Sequence, residues 1–213
     1  MITRYQIQPR GNMQVTTDDQ ANWIRVSAPL PQELQTLATT YGLPATYLAA
    51  ATDQHENARV EGLNPADQVP GLIVLRYPVE TTSETGFDQY NTVPMTMILL
   101  NDRVITITHD PLQAFDDLAQ QKLSPKPEEF ALEVLWLVLH QFVIAMDKLN
   151  DETKQIERSL GKAAKNTQLY QLMAMQKGLV FFDAALDHSG TLLKALRDGE
   201  RFFNTNGYLR RLH

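Results

Sequence analysis

The amino-acid sequence predicts an α/β body followed by two long antiparallel helices, and the prediction rests on three observations. Up to about residue 110 the apolar runs are short and punctuated by turn-forming residues, whereas beyond it they recur at helical spacing. Apolar residues make up 43% of the 213. That is enough for a core in one large domain, or in one domain with an appendage, and too many for a disordered chain.

The elements follow in order. Residues 4–8 and 22–26 (NWIRV) have strand composition, the second closed by Pro29 and Pro31. Residues 32–41 read as a helix stopped by Gly42, and Pro44 opens another to about residue 51. Residues 59–61 and 72–79 (LIVLRYPV) read as strands. The continuous apolar start of the latter predicts burial on both faces. Residues 93–100 (VPMTMILL) and 104–108 (VITIT) flank Asn101-Asp102-Arg103, a tight hairpin turn, because Asn and Asp tolerate turn geometry. The polar stretch 80–89 (ETTSETGFDQ) reads as a loop.

After Asp110 the pattern turns helical. Residues 112–121 form a short helix, broken by Ser124, Pro125 and Pro127. From Glu128 to Leu160 there is neither Pro nor Gly, and Phe130, Val134, Val138, Phe142, Ala145, Leu149 and Ile156 fall close to helical spacing. A continuous helix of about 33 residues would span ~50 Å. A turn at 161–166 (GKAAKN) leads to a second helical run over 167–197. Two helices this long exceed what one small sheet can cover, so they are expected to pack as a hairpin that projects from the body. A break near Asn150 would instead give a compact α+β domain. The divisions drawn from this are a body over 1–123, a hairpin over 124–200 and a last segment over 201–213.

Composition narrows function. The chain has no cysteine, which excludes thiolate metal sites, disulfides and cysteine nucleophiles, and fits a reducing compartment. Its formal charge of −6 is uneven: residues 1–110 hold 6 Lys/Arg against 12 Asp/Glu, and residues 111–213 hold 13 of each. An acidic half attracts cations and repels phosphate backbones, so no nucleic-acid partner is expected. Met1-Ile2-Thr3-Arg4-Tyr5 has no signal-peptide pattern. The most apolar stretch, 130–146, is interrupted by Glu133, His140 and Gln141 and falls short of the roughly 20 apolar residues of a spanning helix. The G-x-S-x-G, G-x-G-x-x-G, phosphate-loop and H-E-x-x-H patterns are all absent, and no enzyme activity is expected. Adjacent acids at Asp116-Asp117 and Glu128-Glu129 read as charges that favour helix N-termini. His140, in an apolar helical stretch, reads as a core or interface residue, His109-Asp110 as a turn, and Asp183 and Asp187 as same-face surface acids. Phe202-Phe203 reads as exposed apolar surface.

Several strings, in this order, resemble one family. They are Trp23-Ile24-Arg25-Val26; Leu43-Pro44 followed by Leu48 and Asp53; Arg59-Val60-Glu61, with Ala58 where Pro is usual; and Leu72-Ile73-Val74-Leu75. They continue in residues 97–108 (MILLNDRVITIT), 142–160 (FVIAMDKLNDETKQIERSL), 179–186 (LVFFDAAL) and 191–196, and in Tyr208-Leu209-Arg210. Together they resemble the cytoplasmic region of the CorA family of divalent-cation transporters. The resemblance implies an α/β/α sandwich with a mixed central sheet, a long antiparallel helical hairpin, and the start of a stalk helix at 201–213. It implies a regulatory, metal-sensing and gating domain on the cytoplasmic side of a membrane, within a homopentamer that carries Mg²⁺ or Co²⁺. The family's pore-mouth Gly-Met-Asn and its two membrane helices are missing, so the chain is expected to be cut before its C-terminal membrane helices. A related Zn²⁺ transporter and a stand-alone interaction module are the alternatives.

The same resemblance implies regulatory Mg²⁺ sites between subunits, joining an acid after the central strand to helix acids of an adjacent protomer. Mg²⁺ prefers carboxylate and water oxygens. By position the candidates are Glu80, after the 72–79 strand, and Asp151, with Asp147 one turn earlier on the same face; Glu152 points elsewhere. A further acid on the stalk would fall near Arg211 or beyond.

Overall fold

The structure is a computed structural model that describes residues 1–9, 11–17, 20–118, 120–159, 166–199 and 201–203. Among the described residues the strands are β1 (Ile2–Ile7), β2 (Met13–Val15), β3 (Trp23–Ser27), β4 (Arg59–Glu61), β5 (Gly71–Thr82), β6 (Asp88–Leu99) and β7 (Val104–Thr108). The helices are α1 (Pro31–Tyr41), α2 (Ala45–Thr52), α3 (Ala114–Leu118), α4 (Pro127–Ser159) and α5 (Asn166–Asp198).

The strands form one mixed sheet in the order β2-β1-β3-β7-β6-β5-β4, in which only the β3–β7 pair is parallel. Strand periodicity of two sorts the side chains. Ile24, Val26, Leu72, Val74, Ile98, Ile105 and Ile107 face one side, where Leu34 and Leu37 of α1 and Tyr47 and Ala50 of α2 cover them. Trp23, Ile73, Leu75, Met95, Met97 and Val104 face the other side, under Phe115 of α3, the first half of α4 and Leu192 and Leu196 of α5. This is an α/β/α sandwich, and residues 72–75 are buried on both faces as their apolar run predicts. On the α4 side Trp23 donates from Nε1 to Thr106 Oγ1 at 2.9 Å, so its buried N–H is satisfied. Arg25 lies over the Phe115 ring, donates to the Leu112 carbonyl and pairs with Asp116. Asp116, an acid of the first turn of α3 as expected, thus also docks that helix on the sheet.

α1 begins at Pro31, and Glu33 accepts from the Leu30 N–H at 2.8 Å. It ends at Gly42, whose φ of 62° is the left-handed cap that residues with a Cβ adopt at a cost. α4 runs 33 residues without a break, which excludes the compact α+β alternative. Its inward residues change partner along its length. Phe130, Ala131, Val134, Leu135 and Val138 close the sheet core. Phe142, Ala145, Leu149 and Ile156 then leave the sheet and pack with Met175, Phe182 and Ala185 of α5 and with Tyr90. The helices thus form the antiparallel hairpin, rooted on the sheet at one end. By length and composition Pro127–Arg158 is apolar enough to cross a membrane, which the interruptions at Glu133, His140 and Gln141 had argued against; its buried face is the one on the sheet and on α5.

Three expectations change. Residues 80–89 are not a loop: β5 continues to Thr82, β6 starts at Asp88, and they stay paired from Glu80↔Tyr90 to Thr82↔Asp88. The turn is closed by Ser83, which donates its N–H to the Phe87 carbonyl, and by Gly86 at φ 82°. The stretch is polar because this end of the ribbon runs past the sheet core into solvent, and paired backbone needs no apolar side chains. β2, only three residues on a sheet edge, had no periodic signal to give it away. Phe203 is 8% exposed and Phe202 packs on Gly71, so this pair is not exposed surface. The chain after α5 folds onto the β4–β5 connection, where Arg201 donates its N–H to Leu63 and its guanidinium to Gly62 and Val69. Of the turn expected over 161–166 only Asn166, the first residue of α5, is described, and of the stalk start expected over 201–213 only residues 201–203; the rest lie outside the described residues.

Candidate functional site

The protruding half of the β5–β6 ribbon lies against α4, and this junction gathers the charged groups. Glu80 stands opposite Tyr90 in the ribbon and accepts a hydrogen bond from Lys148 Nζ of α4 at 2.6 Å. Both side chains are a little under half exposed, so the pair is partly screened by solvent. The hydrogen bond to Glu80 is the main cause that raises the Lys148 ammonium above its ordinary range. Glu152, one turn beyond Lys148, also faces the ribbon. Burial raises its carboxyl above the usual range; Lys148 opposes that, and Asp88 and Glu80 add to it. Burial likewise raises Tyr90. Glu80 and Glu152 therefore both act on the Lys148 ammonium, and Asp88 acts on Glu152 beside it.

Asp147 and Asp151 lie on a neighbouring face of α4, both exposed, and Asp151 accepts from Lys154 at 3.0 Å. Within one chain Glu80 meets Lys148, not these two acids. Among the described residues no group of three or more His, Asp or Glu side chains is close enough to hold a metal ion. The donor chemistry of Glu80, Asp147 and Asp151 suits a hydrated Mg²⁺, but their number in one protomer does not complete a site.

Asp88 and Glu152 escaped the sequence reading. Asp88 sat in a stretch read as loop, and Glu152 was set aside because it points away from Asp147 and Asp151. The usable signal was the i,i+4 spacing of Lys148 and Glu152 together with two acids placed either side of a Gly turn. Elsewhere, His140 is not in the core. It stacks on the exposed Trp136 ring, with centroids 4.7 Å apart. His109 contacts Gln54 and Asp110 at the end of β7. Asp183 and Asp187 are exposed on α5. Glu133, also unforeseen, is a half-buried acid whose carboxyl burial raises, while the Ser124 N–H lowers it and Glu129 raises it.

A mixed sheet covered on both faces, with a helical lever leaving one of them, matches solved cation-transporter structures. The complete CorA magnesium transporter from Methanocaldococcus jannaschii superposes with a TM-score of 0.77 at 18% identity, covering 92% of this chain and 62% of that one. The soluble domain of the same CorA gives 0.76 at 19% identity over 92% of this chain and 79% of that one. The cytoplasmic domain of ZntB from Vibrio parahaemolyticus RIMD 2210633 gives 0.72 at 12% identity over 99% and 84%. At these identities the likeness shows the fold. The family model described as CorA-like Mg²⁺ transporter protein matches residues 18–213. The chain belongs to that family. No curated protein sequence matched it significantly. The chain spans 62% of the length of the complete M. jannaschii transporter.

Proposed function

We propose that this chain is the cytoplasmic metal-sensing and gating part of a Mg²⁺ transporter that assembles as a homopentamer and joins the membrane through helices C-terminal to it. The observation that carries the reading is the family match together with the architecture it would need, a 33-residue helix rooted in the sheet core at one end and leaving it at the other. The regulatory Mg²⁺ site lies between protomers, with Glu80 of one subunit facing Asp147 and Asp151 of its neighbour. Support comes from the exposure of all three acids and from their failure to meet within one chain. Oligomer formation is supported by large apolar side chains on the outer faces of the hairpin, among them Val143, Ile144, Leu169, Met173 and Val180. Mg²⁺ bridging subunits would stabilise the closed arrangement, and its loss would favour opening through differential binding to the two states. Co²⁺ is an expected second cargo.

The test is a Mg²⁺ titration of the 213-residue chain, followed by thermal unfolding and sedimentation, with an ionic-strength control and a Zn²⁺ arm. At ten times the dissociation constant, linkage gives about 1.4 kcal/mol, a shift of about 3–6 °C for a chain of this size. Glu80→Gln and Asp151→Asn should each flatten the response. A curve no different from the salt control, or a response to Zn²⁺ alone, would reject the reading.

A further inference from the structure

A second site lies further along the ribbon from the Lys148 junction, and nothing in the metal reading uses it. A cleft of about 340 Å³ opens between the loop after α2, the middle of β5 and β6, and α5. At its floor is Arg76 of β5. The guanidinium is held flat by neutral acceptors: Nε donates to Thr92 Oγ1 at 3.0 Å, Nη1 to the Glu56 carbonyl at 2.6 Å and to that of Gln54 at 3.3 Å, and Nη2 to the Gln54 and Thr92 carbonyls. Among the described residues no carboxylate forms an ion pair with it, and none lines the cleft. A partly buried cation is ordinarily paired. Burial lowers the Arg76 pKa, with Asp53 the one acid that pulls it back.

The walls present donors without partners. The His55 and His188 rings and the Asn57 amide make no hydrogen bond among the described residues. Asn91 uses its Oδ1 to accept from the Thr92 N–H at 2.8 Å, which leaves its NH₂ free to donate. Phe181 of α5 supplies a partly exposed aromatic face. A fixed positive charge and four donor side chains, with no acid among the lining residues, make a site for an oxyanion and oppose a cation. The volume exceeds what one phosphate fills and sits at the small end of ligand pockets, which run to about 300–1,000 Å³.

We propose that this cleft binds a small phosphorylated molecule, its phosphoryl oxygens held by His55, His188, Asn57 and Asn91 above the Arg76 guanidinium and its organic part against Phe181. Because His55 belongs to the sandwich and His188 to the hairpin, the ligand would bridge the two.

The test is calorimetric titration of the 213-residue chain with AMP, inorganic phosphate and adenosine at constant ionic strength. AMP should bind saturably and more tightly than phosphate, and adenosine should not bind. His55→Ala and His188→Ala, both on exposed side chains, should each weaken AMP binding by about tenfold, the worth of one charge-assisted hydrogen bond, with unfolding in ligand-free buffer unchanged. Arg76→Gln is a poorer probe, since it also releases the loop carbonyls of Gln54 and Glu56. Absence of saturable AMP binding, adenosine binding as tight as AMP, or affinity untouched by both histidine variants would overturn the site. Phosphate binding as tight as AMP would overturn the role given to Phe181.

Discussion

Phe182→Ala isolates the contact that makes the helical hairpin and the β5–β6 ribbon one object. Phe182 is 2% exposed and meets the Tyr90 ring at 5.4 Å and the Phe142 ring, edge to face, at 5.2 Å. α5 can come this close to the ribbon because Gly178, one turn earlier, has no Cβ; a Cβ there would stand 3.2 Å from that of Tyr90. Truncating Phe182 removes a ring from a cluster whose other members cannot follow it inward, so the expected loss is about 3–5 kcal/mol. The cluster is separate from the sheet core, so the loss should be felt first by the outer hairpin rather than by the sandwich. Trp23, fully buried beside Tyr5, Phe115 and Phe130, reports the sandwich once Trp136 is replaced by Phe. Helical circular dichroism reports the hairpin. In urea the helical transition should move to lower denaturant by more than the Trp23 transition does. Amide exchange should quicken over residues 142–156 and 175–185 while β3 and β7 keep their protection. A loss below about 1 kcal/mol, or two transitions that stay coincident with exchange quickened evenly, would refute the idea that the outer hairpin is held as its own cluster.

Glu133→Gln should be more stable than the parent chain near pH 7 and equal to it near pH 4. Burial raises the folded carboxyl above its ordinary 4.5, so the parent is favoured when protonated and loses that advantage as pH rises through the folded pKa. Paired urea curves from pH 4 to 7 measure it, and a difference that shrinks with rising pH would reverse the sign. Gly62→Ala should cost about 1–3 kcal/mol, because φ is +69° and the new methyl would press on the Pro70 carbonyl oxygen. A thermal scan reads this, and an unchanged midpoint would mean that the β4–β5 connection yields freely.

The sandwich was legible because its signals are local. Continuous apolar strings such as residues 72–75 mark strands covered twice, Asn101-Asp102 marks a turn, and Gly42 stops α1 at a left-handed cap. The length of α4 was legible too, since 33 residues at helical spacing without Pro or Gly have no reason to stop. The ribbon beyond Val79 was not, because polar strand and polar loop carry the same composition when neither face is buried. Nor was the fate of Phe202 and Phe203, which depends on Arg201 finding carbonyls more than a hundred residues away.

Residue order by itself determined the alternation of strand and helix, the helical lever and the family resemblance, because backbone preference and apolar period act over a few residues at a time. Tertiary structure alone decided which charges meet. It put Lys148 rather than Asp151 beside Glu80, brought Asp88 and Glu152 into the same junction, and left Arg76 without an ion pair in a cleft lined by two histidines drawn from α5 and the loop after α2. A charge's partner is set by distance in space, and that distance exists only once the sheet has registered its strands and the helices have packed across it.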